Sequence, residues 1–287
     1  MKRIISFLVV IIYSGLLIAQ PDMTRLTEMQ KIFFVSEASG LTSTSYNPAA
    51  MSIRPDNNGV ILGYDFDEVN VQGNSSVFLT MDNIGISYQD IYNINNVRLQ
   101  NYAINLSIGN EYFSIGTNNR YTMASYPAYD LKLFSFDAGI ILRPASFITL
   151  GFLARNLSEV GFDSLNYIRN YTAGIGLTFF DETLNLYADA DFKDNSKLDD
   201  ISGTVGLVVA PLNLFEFRGG LVLNPDNILE IRDGGLQIID IKYEAFISAS
   251  FLIRDAIRIT AAARFNDAGE RTRFAAVFGF PLSRSRY

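Results

Sequence analysis

The run Thr183 to Lys193, TLNLYADADFK, restricts the fold more than any other stretch of the chain. Its even positions Leu184, Leu186, Ala188, Ala190 and Phe192 are apolar, whereas its odd positions Thr183, Asn185, Tyr187, Asp189, Asp191 and Lys193 are mostly polar. Successive side chains of a strand point to opposite faces, so this segment has one oily face and one wet face. It is also about as long as a strand that crosses a bilayer at a tilt.

The same period recurs from residue 59 onward. Val60, Leu62, Tyr64 and Phe66 alternate with Ile61, Gly63, Asp65 and Asp67, and Tyr102, Ile104, Leu106 and Ile108 alternate with Asn101, Ala103, Asn105 and Ser107. Ile239 to Phe251 keep one parity throughout. Short turns at Gly109-Asn110, Pro144-Ala145-Ser146, Asp181-Glu182, Pro211 to Asn213 and Arg254-Asp255 separate these runs. Polar stretches at 118–132, 156–170, 194–200, 224–235 and 266–271 read as longer loops. The turn at Pro144 is too short for a crossover helix, so its strands are antiparallel. The whole gives about fourteen strands, and alternating short and long connections are what the two ends of a transmembrane barrel show.

A soluble sandwich also alternates, so the period alone does not place strands in lipid. The second face separates the two readings. It carries Arg143, Arg155, Asp189, Asp191, Lys193, Glu216, Arg218, Glu244, Arg258 and Arg264 among Gly, Ser and Thr, while the first face is nearly free of charge. A polar lumen lined by a charge network and a lipid-facing wall account for both faces. Closure also removes the edge strands of so long a meander. The expected fold is all-β, a single transmembrane antiparallel β-barrel of about fourteen strands. Tyr64, Tyr88, Tyr102, Tyr171, Phe179, Phe251, Phe265 and Phe280 suit interfacial girdles, although aromatic β-propensity alone also places such residues in strands.

Lys2 and Arg3 precede an apolar run from Ile4 to Ala19, which reads as a signal peptide over residues 1–19, with an uncleaved anchor as the alternative. Leu17 stands where a small residue is expected before cleavage at Ala19-Gln20. Without Lys2 and Arg3 the 23 basic residues fall to 21 against 30 acidic, a net charge of about −9 that disfavours nucleic acid or an anionic membrane face as partners. There is no cysteine, which excludes a lipoprotein anchor, disulfides and thiolate sites, and no histidine, the commonest general base and metal ligand. No triad is visible, and the chain is expected to be no enzyme and to use no cofactor. Asp189 and Asp191 share a strand face and could hold a proton or Ca²⁺, but they read better as partners of arginines on neighbouring strands. The cluster Asp226, Asn227, Glu230, Asp233, Gly234 and Gly235 lacks EF-hand spacing and reads as a polar turn, so no metal site is expected. Gly174 and Gly176 have no following helix and lysine, and they read as relief of crowding on the inner face.

Residues 20–58 have no strict period. Met23 to Val35 could form a short helix, and Pro48 bars Asn47 from the helical region to make a turn at Tyr46-Asn47-Pro48-Ala49-Ala50-Met51. This hexapeptide resembles the aromatic-Asn-Pro-Ala-Gly-apolar element near the mature N-terminus of the FadL and PorV/PorQ-like outer-membrane proteins. Ile148 to Leu157 and Thr183 to Asp191 resemble later strands of that group. Ala50 stands in place of the usual Gly, the Gly/Ala-rich approach shrinks to Ala38-Ser39-Gly40, and the chain is short for a fatty-acid transporter. The resemblance implies a fourteen-stranded barrel over 59–287, with residues 20–58 as a plug-like segment in or against the lumen and Tyr46, Asn47, Pro48 and Ala49 at its turn. It implies an outer-membrane protein of a Gram-negative bacterium with lipid as its surroundings. The short chain favours a PorV/PorQ-type accessory role in type IX secretion or outer-membrane organisation, with secretion-machinery or cargo proteins as partners. A FadL-like channel for small hydrophobic molecules is the alternative.

Overall fold

The computed structural model describes residues 32–37, 45–53, 58–67, 73–92, 98–125, 130–157, 160–161, 169–193, 201–212, 214–223, 230–232, 235–237, 243–253 and 257–282. The signal peptide over 1–19, most of the helix expected over Met23 to Val35, the Arg254-Asp255 turn and Asp226, Asn227, Asp233 and Gly234 lie outside these residues.

A four-residue helix, α1 (Ala50–Ile53), precedes the strands. They run β1 (Gly59–Asp67), β2 (Asn74–Met81), β3 (Ile84–Tyr92), β4 (Arg98–Gly109), β5 (Phe113–Ser125), β6 (Asp130–Ala145), β7 (Ile148–Arg155), β8 (Val160–Gly161) and β9 (Asn170–Phe179). Then come β10 (Leu184–Lys193), β11 (Ser202–Leu212), β12 (Phe215–Leu223), β13 (Glu230–Arg232), β14 (Gly235–Gln237), β15 (Tyr243–Ile253), β16 (Ile257–Phe265) and β17 (Arg271–Pro281). Fourteen of them form the wall, each antiparallel to its neighbours, and the ladder Gly59↔Pro281 to Asp67↔Arg273 joins β1 to β17 and closes the barrel. The two-residue β8 leans on β6, and β13 with β14 makes a separate small hairpin.

The period of two becomes an inside and an outside. On β10 the outward Leu184, Leu186, Ala188, Ala190 and Phe192 alternate with the inward Asn185, Tyr187 and Asp189, which are buried. Leu62, Ile104, Leu207, Ile247 and Phe278 are likewise exposed on the outer face, as a surface solvated by lipid requires. The β2–β3, β4–β5, β6–β7, β9–β10, β11–β12 and β15–β16 connections are short and share one end with the start of β1 and the end of β17. At that end Asn58 braces the first of these turns, accepting from the Asp82 amide at 2.6 Å and donating to the Asp82 carboxylate at 3.1 Å. The longer connections share the other end.

One expectation is corrected. Residues 118–132 are not one long loop, because β5 continues to Ser125 and β6 begins at Asp130. The alternation persists there, but its inward set, Asn118, Arg120, Thr122 and Ala124, faces outward residues that are themselves partly polar, so contrast between the faces disappears. Of the strand expected from Ile239, the part from Tyr243 is β15, and residues 239–242 lie outside the described residues.

A closed barrel keeps its ladder in detergent, so unheated protein is expected to migrate faster than boiled protein on a gel; a single unshifted band would contradict closure. Leu207→Arg places a charge on the middle of the lipid face of β11 and is expected to cost about 2–4 kcal/mol in urea titration of the vesicle-inserted protein. Thr204→Ser, on the inner face of the same strand, is the control and is expected to leave the midpoint within error.

Candidate functional site: the lumen and its N-terminal segment

Residues 32–37 and 45–53 fill the inside of the barrel. Phe34, Val35, Asn47, Ala49 and Ala50 have no exposed surface, and Phe33, Glu37 and Met51 have almost none. This segment contributes backbone as well as side chains to the lumen, and backbone polar groups taken from water need partners. The Val35 amide donates to the Asp189 carboxylate at 2.7 Å, and the Val35 carbonyl accepts from Asn47 Nδ2 at 2.8 Å. Asn47 Oδ1 accepts from the Ala49 amide at 3.1 Å, which makes the Asx turn that Pro48 favours, and Ser114 Oγ donates to the Ala49 carbonyl at 2.6 Å. One asparagine thus ties the two halves of the segment together.

The wall admits this backbone because it carries glycines where the segment passes. A Cβ at Gly116 would meet the Pro48-Ala49 peptide, one at Gly139 the Asn47 side-chain oxygen, and one at Gly151 the Val35-Ser36 peptide. A Cβ at Gly174 would meet Asp189 and Val35, and one at Gly206 the Phe34 ring. These positions adjoin across strands: Gly116 pairs with Gly139, and Gly151 with Gly174. The expected relief of crowding thus has a specific source, close approach of the N-terminal segment.

Apolar and charged contacts hold the rest. Phe34 stacks on Tyr187 with ring centroids 4.8 Å apart and lies 6.2 Å from Phe246. With Ile32, Phe33, Ile61, Phe78, Val208, Ala262, Ala275 and Val277 these rings form an apolar cluster inside the barrel. Beside it Glu37 receives both terminal nitrogens of Arg218, at 2.8 and 2.5 Å, and the Arg218 guanidinium lies 4.7 Å from the centre of the Phe33 ring. Arg218 also donates to Glu216 at 2.8 Å, and Arg258 reaches Glu216 at 3.3 Å, which extends the chain of charges from β12 past β15 to β16. Arg155 lies 4.8 Å from the Tyr46 ring centre. Burial pushes the Tyr46 phenol up to about 12, against the opposing pull of Arg155, so the hydroxyl stays protonated at neutral pH.

The sequence-predicted residues therefore fall into several groups. Arg155, Asp189 and Arg218 touch the N-terminal segment, whereas Glu216 and Arg258 reach it through Arg218. Arg264 pairs with Glu244 at 2.8 Å as a separate bridge. Among the described residues Asp189 accepts from the Val35 amide and Asp191 from the Thr172 hydroxyl at 2.5 Å, while Arg155 attracts both carboxylates electrostatically. Arg143 is half-buried near the short-turn end, with its amide donating to the Tyr112 carbonyl, and Lys193 is exposed at the end of β10. Sequence reasoning missed Glu37, Phe34, Tyr187, Arg120 and Asp137. Arg120 bridges Asp137 at 3.5 Å and donates to Asn156 at 3.0 Å. Strand parity carried through residues 118–132 would have found that pair.

No protein-family model matches the chain, and no curated protein matches it in sequence. Its fold has solved counterparts. A structure described as the TodX monoaromatic hydrocarbon channel deltaS2 mutant is 10% identical with a TM-score of 0.59, over 90% of this chain and 99% of that one. The CymD monoaromatic hydrocarbon channel is 12% identical with a TM-score of 0.54, over 88% and 95%. The chain has the closed fourteen-strand antiparallel barrel fold that it shares with these channels.

Proposed function

We propose that the protein is an outer-membrane channel for uptake of small hydrophobic molecules in a Gram-negative bacterium, without enzymatic activity, in which residues 32–37 and 45–53 plug the lumen. The observation that carries this reading is the apolar cluster around Phe34, on the inside of a wall whose outer face already looks to lipid. Interiors of transmembrane barrels are ordinarily polar, so apolar lumenal surface favours an apolar cargo. The segment's own Phe33 and Phe34 occupy that surface, so passage requires the segment to shift. The likeness to hydrocarbon channels supports this alternative over the PorV/PorQ-type secretion role. Short length, the argument for the secretion role, loses its force because the chain spans nearly the whole of those channels.

The chain contains no tryptophan, so Phe34→Trp installs a single reporter at the apolar cluster. Titration of that variant in detergent with an alkylbenzene is expected to shift its emission saturably. A linear, unsaturable response, together with a protein partner recovered on mild extraction, would turn the assignment back to an accessory barrel.

Arg218→Met leaves Glu37 and Glu216 buried without their shared cation, a loss of about 3–5 kcal/mol for a broken buried pair. Gly151→Leu drives a side chain into the Val35-Ser36 peptide. Both variants are expected to dislodge the segment and raise single-channel conductance in planar bilayers above the wild-type level. Unchanged conductance in both, with gel mobility intact, would remove the plug role.

A further inference from the structure

The outer wall is apolar at mid-height with one interruption. Among the described outward positions in the middle of the fourteen barrel strands, polar groups occur at Thr117 and Asn119 of β5. An amide facing hydrocarbon is costly, and such residues ordinarily serve a partner. Asn119 donates to the Ile104 carbonyl and to Thr117 Oγ1, both at a long 3.4 Å, and its side-chain oxygen has no protein partner among the described residues.

A groove of about 560 Å³ lies over Asn119 on the outside of β2–β6. Its floor is the cross-strand row Leu79, Ile86, Ile104 and Asn119. Above that runs the aromatic row Tyr88, Tyr102, Tyr121 and Phe134, in direct register on adjacent strands. Tyr88 and Tyr102 lie 5.1 Å apart with their rings tilted. Beyond the aromatic row, toward the longer connections, the outer face becomes charged. Arg98 pairs with Asp90 at 2.6 Å while 42% of its side chain stays exposed, and Lys132 and Asp130 are exposed on β6. Gln100 donates to the Tyr88 hydroxyl at 3.1 Å, joining ring and rim.

This is a vertical sequence of chemistries: apolar below, one amide, an aromatic row, then cations with carboxylates between them. Asn119 sits two residues from Tyr121, about 5 Å deeper for a strand tilted as barrels require. That is the order of groups in an acyl lipid, with chain, amide or ester linkage, and charged headgroup. Longer connections mark the outward-facing end of such a barrel, so the lipid would come from the outer leaflet. We infer that this groove binds one phosphorylated glycolipid of the outer leaflet, with an acyl chain along Leu79, Ile86 and Ile104, its linkage on Asn119 and its phosphate at Arg98 and Lys132. The inference depends on the outer-membrane location proposed above, but not on transport, since the groove lies outside the wall.

Native mass spectrometry of the detergent-purified full chain, titrated with diphosphoryl lipid A, tests it. Wild type is expected to retain one lipid. Asn119→Leu, which places an apolar residue against lipid and leaves the ladder intact, and Lys132→Ala are each expected to lower retention about fivefold or more, the scale of one lost hydrogen bond or ion contact. Gel mobility of the unheated variants verifies that both are folded. Equal retention by wild type and both variants would overturn the site. Equal retention of a neutral diacylglycerol would overturn the headgroup assignment, and appearance of a two-chain species that Asn119→Leu abolishes would assign the groove to a second copy instead. Loss of alkylbenzene binding by Phe34→Trp with lipid retention unchanged would strike the channel reading alone.

Discussion

A sheet in hydrocarbon has no water to satisfy its backbone, so the ladder from β1 to β17 is the constraint on which everything else depends. Closure fixes the direction of every side chain. Once Gly59 pairs with Pro281 and Phe66 with Phe274, odd and even positions are committed to opposite media around the whole wall. A slip of one residue on β10 would turn Asp189 and Tyr187 to lipid and Leu186 to the lumen. The charge distribution therefore defends the register as much as the hydrogen bonds do.

Closure creates a second problem, which the N-terminal segment resolves. Arg218, Asp189 and Arg155 point into a space where partners are scarce, and an unpartnered buried charge costs several kcal/mol. Glu37, the Val35 amide and the Tyr46 ring of the lumenal segment meet them. The wall in turn supplies glycines where that backbone must pass and Tyr187 and Phe246 where Phe34 must pack. Polar and apolar contacts alternate along the segment, so its hold is divided between the Arg218 and Asp189 contacts, the Phe34 ring cluster and the glycine-lined path. A segment held by a few buried ion and backbone contacts is nevertheless easier to displace than a strand of the wall, whose every amide belongs to the ladder.

The wall was legible because its signal is repeated and binary. Leu184, Leu186 and Ala188 against Asn185, Tyr187 and Asp189 give a period that needs no knowledge of partners. Legibility failed where the contrast between faces failed, at Thr117 to Met123, since Asn119 and Tyr121 on the lipid side are nearly as polar as Asn118 and Arg120 inside. It failed again for Glu37, which has no periodic neighbours and gains its meaning from Arg218, 181 residues away. Asp189 and Asp191 show the same limit. Their inward direction followed from parity, but the Val35 amide and the Thr172 hydroxyl as acceptors' partners followed from three-dimensional placement.

The glycines carry the remaining information. In a strand a glycine weakens the ladder's neighbourhood and has no side chain to pack, so a barrel gains nothing from it unless another backbone must come close. Gly116 with Gly139 and Gly151 with Gly174 are paired across adjacent strands, on the face opposite to lipid. Paired inward glycines thus trace the path of the N-terminal segment, and the distribution of missing Cβ atoms records an occupant of the lumen that strand periodicity cannot see.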